Sequence, residues 1–295
     1  MKTQKILEKN SVESNIDMNK WIGKSIHSDD KIVDYPIKAM AAVFNYEYNK
    51  EEFQNVPYGW HWLYFLNLPL QKNLGPDGHE KKQGFMPPIP LPIRMYAGGE
   101  ITYYNPLVVG KNAKRTSKII SILNKEGSSG KLTFLQIKHR ILSNEHLILE
   151  ELQNLVYREE KKDKKNIITK FTKTPDYYDF QKSWHTTPEM LFRYSALTHN
   201  THRIHYDYPY ATNIEGYPQI VVHGPLMATF LLDLATKISK DKEKKIKKFN
   251  FRLMSPVFVG GKIIAEAKNS TSGLDLWIKD QKGNKSLSAE AELSN

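Results

Sequence analysis

Residues 219–240 read QIVVHGPLMATFLLDLATKISK, and their periodicity decides the fold. Leu226, Met227, Phe230, Leu231, Leu234, Ala235 and Ile238 recur at i, i+1, i+4, i+5, i+8, i+9 and i+12, which is one broad apolar face of a helix. Pro225 suits the first helical turn, where its missing N–H costs nothing. His223, Gly224, Pro225 and Asp233 interrupt the apolar run, which argues against a transmembrane span. Downstream lie four strand-like segments, near Lys247 to Pro256, Gly261 to Lys268, Leu274 to Lys279 and Ser286 to Leu293, with Gly273 and Gly283 as turn punctuation. A long buried helix followed by antiparallel strands is an α+β arrangement, with the sheet wrapped around the helix.

The same order occurs earlier in the chain. Residues 105–110, NPLVVG, answer residues 255–260, SPVFVG, at an offset of 150. Pro36 precedes an apolar segment ending at Asn45, and Pro188 precedes one ending at Asn200. In the first half the expected elements are an apolar segment of helical character at Ile37 to Phe44 and a second, more strongly apolar segment at Trp60 to Leu68, in the place of the 225–238 helix. Strands follow near Glu100 to Asn105, Thr116 to Leu123, Lys131 to Leu142 and Leu147 to Tyr157, with Gly127 and Gly130 at a turn. Several matches at a nearly constant offset predict a duplicated unit. The expected division is an N-terminal domain over 1–160, a linker over 161–183 and a C-terminal domain over 184–295. Residues 67–92, with LGPDGHEKKQGFMPPIPLP, have no counterpart in the second half and read as a long loop, a lid or an interface strap.

Composition narrows the chemistry. Among 295 residues there is no cysteine, so disulfides, thiol nucleophiles and thiolate zinc sites are excluded. The first residues contain no apolar signal core and carry Glu8, Glu13 and Asp17, so a cytoplasmic location is expected. The formal net charge of +11 concentrates in two stretches, Arg158 to Lys173 and Lys240 to Arg252. They suit either a solvated face or a polyanion partner. Neither interleaves aromatic side chains as a nucleic-acid groove would, so no nucleic-acid partner is expected.

Five of the ten histidines fall between His185 and His223. His199, His202, His205 and His223 with Asp207 offer enough ligands for zinc. However, i, i+3, i+6 spacing does not hold three side chains on one compact face, and no metal site is expected. The free N–H groups at the start of the 225–238 helix suit an oxyanion, and Gly224 lets a carbonyl approach without a Cβ in the way.

NTHRIH with the downstream YPQIVVHGPLMATFLLDL resembles the MaoC-type hydratase/dehydratase family, whose fold is the hotdog. WHWLYFL, LGPDGH, PPIPLPIRMYAGG and FRYSAL…HRIHYD resemble its two-domain hydroxyacyl-thioester dehydratase subgroup, over roughly residues 20 to 295. The resemblance implies a double hotdog: two tandem domains, each with a central helix wrapped by an antiparallel sheet. The first would be degenerate and non-catalytic, and would cover an acyl tunnel. Trp60, Trp62 and Tyr64 are candidates for that tunnel or for ordinary core. The implied activity is reversible addition of water across C2=C3 of an enoyl-CoA, with mesaconyl and related branched dicarboxylic acyl groups among the candidates. CoA is then part of the substrate and no other cofactor is needed. A homodimer is the expected assembly. An acyl-carrier-protein dehydratase and a non-catalytic thioester-binding subunit are the rival readings.

The family motif Asp-x-Asn-Pro-x-His falls on Asn200, His202, Arg203 and His205. His205 takes the base position, and Gly224 of the His223-Gly224 pair takes the oxyanion position. Asn200 stands where the family has a carboxylate, and an amide cannot exchange a proton. Either His205 handles both transfers or a carboxylate such as Asp207 or Glu215 supplies the acid. Arg203, Tyr206, Asp207, His202 and His223 are the candidate substrate-binding residues, and Arg203 is the candidate partner of a substrate carboxylate or phosphate.

Overall fold

The computed structural model describes residues 17–82, 84–127, 130–160 and 172–294. The expected linker over 161–183 lies partly outside these, as does most of the Arg158 to Lys173 basic stretch. Among the described residues, ten strands form one antiparallel sheet: β1 (Ser25–Lys31), β2 (Ile93–Tyr103), β3 (Asn112–Gly127), β4 (Gly130–Ser143), β5 (His146–Arg158), β6 (Phe180–His185), β7 (Lys245–Leu253), β8 (Lys262–Asn269), β9 (Gly273–Lys279) and β10 (Lys285–Ser294). Their order is β1-β3-β4-β5-β2-β7-β10-β9-β8-β6. Read from either edge the order is the same with five added to each strand number, so the duplication is explicit in the topology.

The two copies meet at β2 and β7, where Gly98 to Thr102 pair with Arg252 to Lys248. Gly98 has φ 139°, and a Cβ built there would overlap the carbonyl oxygen of Phe251, so only glycine permits this seam. The repeated turns hold equivalent places. Gly110 N–H donates to Ile32 O and Gly260 N–H donates to Thr186 O, each just past the first strand of its copy. Val56 N–H donates to Leu107 O and Val222 N–H donates to Val257 O, both at 2.8 Å.

Among the described residues, three α-helices pack inside: α1 (Tyr35–Val43), α2 (Pro188–Thr198) and α3 (Gly224–Asp241). α1 and α2 correspond. Each has proline in its first turn, and Asn45 (φ 59°) and His199 (φ 49°) are the left-handed residues at or just past their ends. The seven apolar positions of α3 picked from the sequence are all buried. The copies differ after Val56 and Val222. His223-Gly224-Pro225 opens an 18-residue helix, whereas Pro57-Tyr58-Gly59 opens only a 3-10 turn over Trp60–Leu63. Gly59 is left-handed, at φ 80°. Among the described residues, a central helix is thus present in the second copy and absent from the first. The expected helix at Trp60 to Leu68 is corrected: Pro57 and Pro69 bracket that segment and Gly59 breaks its start. β6 occupies Phe180 to Ser183 of the expected linker, and β1 was not anticipated.

One core joins the copies. Phe230 of α3 packs on Phe44 from the first copy (ring centroids 5.4 Å apart) and stacks on Trp184 from the second (4.5 Å). Trp60 and Tyr64 are core residues, and the Tyr64 hydroxyl donates to Val33 O. The second basic stretch is largely solvent face. On β7 the lysines alternate with buried Ile246, Phe249 and Phe251, and Lys247 and Lys248 pair with Glu292 and Glu100. Phe230→Ala is expected to destabilise the whole chain by about 3–5 kcal/mol, read as a lower denaturant midpoint, because it empties the shared core.

Candidate active site

The site is built on a short bridge between loop and helix. Val221 N–H donates to Ile204 O (2.9 Å), and Val221 O accepts from His205 Nδ1 (2.7 Å). Val221 also pairs with Phe258, and Val222 N–H is held by Val257 O. This fixes the His205 ring directly ahead of α3. A carbonyl can only accept, so Nδ1 carries the proton and Nε2 presents its lone pair. His205 is buried, and loss of solvation pushes its imidazole down to about 4, with the Val221 carbonyl working the other way.

His205 stands in a row of imidazoles. It stacks on His223, centroids 3.8 Å apart, and meets His202 edge-on at 5.4 Å. His202 in turn lies 4.0 Å from His79. Burial, reinforced by the neighbouring imidazoles, pushes His202 and His223 well below the ordinary histidine range. His223 Nε2 shares a hydrogen bond with Ser195 Oγ (2.8 Å), while its Nδ1 is buried with no protein partner.

His79 comes from the first copy. The loop from Pro76 to His79 is bonded to the loop that carries His205: Thr201 Oγ1 donates to Gly78 O (2.5 Å), Arg203 N–H to Asp77 O (2.9 Å) and Arg203 Nη1 to Pro76 O (2.9 Å). Gly78 has φ 87°, and a Cβ on it would overlap the Thr201 carbonyl oxygen. Residues 67–92 are therefore a strap between the copies. Asp77 Oδ2 accepts from His79 Nδ1 at 2.8 Å. Asp77, His79 and His202 bring possible ligand atoms within 4.8 Å of one another. The Asp77–His79 hydrogen bond needs a proton on Nδ1, so as it stands it is an acid–base pair rather than a ligand pair. The wider zinc set is not assembled, since His199 sits exposed at the end of α2.

At α3 no side chain caps the helix start, so the first-turn amides are free. A Cβ on Gly224 would overlap Leu253 Cδ1, which adds a packing reason for glycine beside the chemical one.

The hydroxyacyl-thioester dehydratase type 2 family model matches residues 59–259. The chain belongs to that family. It is a thioester hydro-lyase, a hydratase in one direction and a dehydratase in the other. Mesaconyl-C(4)-CoA hydratase of Chloroflexus aurantiacus is 38% identical over 292 residues, covering 95% of this chain and 99% of that protein. A MaoC-like dehydratase from Phytophthora capsici superposes with TM-score 0.72 at 15% identity, covering 95% and 98% of the two chains. A double-hotdog protein of Mycobacterium tuberculosis superposes with TM-score 0.53 at 10% identity, covering 92% and 96%. The dehydratase is thus a double hotdog, with a central helix in the second copy alone.

Several candidate residues of the dehydratase turn out to brace the loop. Asn200 Oδ1 accepts from His202 N–H (3.1 Å) and closes a turn. Asp207 Oδ2 is taken by Arg203 Nε (2.9 Å) and Nη2 (2.8 Å), and its Oδ1 accepts from Tyr210 N–H (3.0 Å). Glu215 accepts from the Tyr210 hydroxyl (3.0 Å). Each of these two carboxylates thus has a partner within the loop. Arg203, the candidate partner of a substrate anion, is held by Asp207, Pro76 O and the Tyr210 ring, 4.2 Å away. Tyr206 is 46% exposed and donates to Thr201 O, so it does not line the interior.

Sequence reasoning missed Asp77, His79 and Arg94. Arg94, on β2, bears electrostatically on Asp77, His79 and His202. LGPDGH was visible as a motif, but its contact with NTHRIH is long-range. Sequence reasoning also missed the buried Glu151 of the first copy. It accepts from His61 and Trp62 at 3.1 Å, and His61 and Trp62 hold it down at about 2 despite its burial.

Two tests follow from this geometry. Gly224→Ala is expected to lower kcat, and adding Leu253→Ala should restore part of it by making room for the Cβ; kinetics of the single and double variants measure this. The buried neutral histidines make the fold acid-labile. Unfolded histidine titrates near 6.5 and folded His205 at about 4, so between these values the unfolded chain binds more protons. Stability should fall as pH drops through this window, by on the order of 3 kcal/mol for His205 alone, in urea melts against pH.

Proposed function

We propose that the chain hydrates a branched dicarboxylic enoyl-CoA of the mesaconyl type, with water adding at C3. The carrying observation is His205: its tautomer is fixed by Val221 O, so Nε2 is available as a base, and it stands directly before the uncapped start of α3. In hydration, Nε2 takes a proton from water as the oxygen bonds C3. The π electrons move onto the thioester carbonyl, and the Gly224 amide meets the developing oxyanion. Only water and protons move, so no redox group is required.

Two considerations support the acyl class. The Chloroflexus relative named for mesaconyl-C(4)-CoA is covered almost end to end. Arg94 bears electrostatically on His79 and His202 and lies against the Tyr157 side chain, and its guanidinium suits a substrate carboxylate.

The test is loss of enoyl-thioester absorbance with mesaconyl-CoA, crotonyl-CoA and a longer enoyl-CoA. Turnover fastest on mesaconyl-CoA is expected, falling 10²–10⁴-fold in His205→Ala. Arg94→Gln should raise KM for mesaconyl-CoA and leave it unchanged for crotonyl-CoA. Binding of all three thioesters without turnover would instead support a non-catalytic subunit.

A further inference from the structure

Hydration needs a second proton-transfer group, to protonate C2 after water has added at C3. The motif position that supplies it in the family is Asn200, an amide engaged in a turn. Asp207 and Glu215 are both tied to other partners. One carboxylate does reach the imidazole row: Asp77, through His79 Nδ1 at 2.8 Å. Asp77 accepts, so Nδ1 carries the hydrogen and Nε2 is the His79 atom left to exchange a proton. That is the same tautomer as His205. The His79 ring touches His202, which touches His205. Its position is imposed by three hydrogen bonds between the strap and the catalytic loop, and by the absence of a Cβ at Gly78.

We propose that the Asp77–His79 pair, delivered by the first copy, is the second proton-transfer group of the reaction. The proposal rests on the hydratase reading above. In hydration His205 Nε2 removes a proton from water as the C3–O bond forms, and the π pair passes to the enolate held at Gly224. Protonated His79 then gives its Nε2 proton to C2, where the enolate pair forms the C–H bond. His205 ends with one proton more and His79 with one fewer, and His202, between them, returns that proton. Asp77 stays ionised and balances the imidazolium. The groups facing His79 are Asp77 on its own loop, Arg94 on β2, and His202 and His205 on the catalytic loop. Burial and Arg94 favour neutral His79, and Asp77 alone opposes them.

The experiment is the pH profile of kcat and kcat/KM for hydration by the wild type, His79→Gln and Asp77→Asn, with thermal melts beside it. The wild type should give a bell, with an acid limb from His205 and an alkaline limb from His79 below the ordinary histidine range, the side to which burial moves it. His79→Gln should lower kcat 10²–10⁴-fold with KM within about threefold, and should lose the alkaline limb. Asp77→Asn, nearly isosteric and still able to accept from Nδ1, should keep the fold and move the alkaline limb to lower pH. Full kcat in His79→Gln, or a kcat loss with both limbs in place, would overturn the pair's role while leaving the hydratase reading intact. An inactive wild type would overturn the hydratase reading itself, and this proposal with it.

Discussion

The hydrogen bond from His205 to the Val221 carbonyl is the constraint on which the site depends. It does three things with one peptide unit. It selects the tautomer that leaves Nε2 basic. It locks the catalytic loop to the SPVFVG turn, because the same segment bonds Ile204, Val257 and Phe258. It also sets where the chain enters α3, so the His205 ring and the helix start are held together. A displacement of about an ångström between such groups is costly in rate. The duplicated fold supplies the rigid frame, since the equivalent peptide at Val56 is held by the equivalent turn.

Duplication also explains the asymmetry. Both copies keep their five strands and their short proline-led helix. Only the second keeps a long central helix. The first copy places Pro57-Tyr58 where the second has the start of the His223-Gly224 pair, and its chain then runs out into the strap. Loss of the helix frees residues 67–92 to cross over and dock on the other copy's loop. The first copy is degenerate in its own interior, yet its loop is bonded to the site.

Much of this was legible in the sequence. α3 announced itself through its apolar spacing and Pro225, and eight of the ten strands through alternation and glycine turns. β1, with one partly buried face, and β6, inside a charged stretch, carry weak alternation and were missed. That His205 stands just ahead of Gly224 was legible because their motif is local. The partners of Arg203, Asp207 and Tyr206 were not. Whether a charged side chain faces substrate or closes a loop depends on neighbours such as Pro76 and Tyr210. His79 lies more than a hundred residues from His202, and no periodicity links them.

The seam between β2 and β7 has a consequence for how the protein forms. It closes only when the two copies are adjacent, and Gly98 lets the backbones approach without side-chain help. The strap docks only on a catalytic loop that already has its shape. The first copy has a small cluster of its own around Ile119, Leu135 and Tyr157, but Phe44, Trp184 and Phe230 form one cluster across both copies. The candidate site is therefore complete only when both copies are folded against each other.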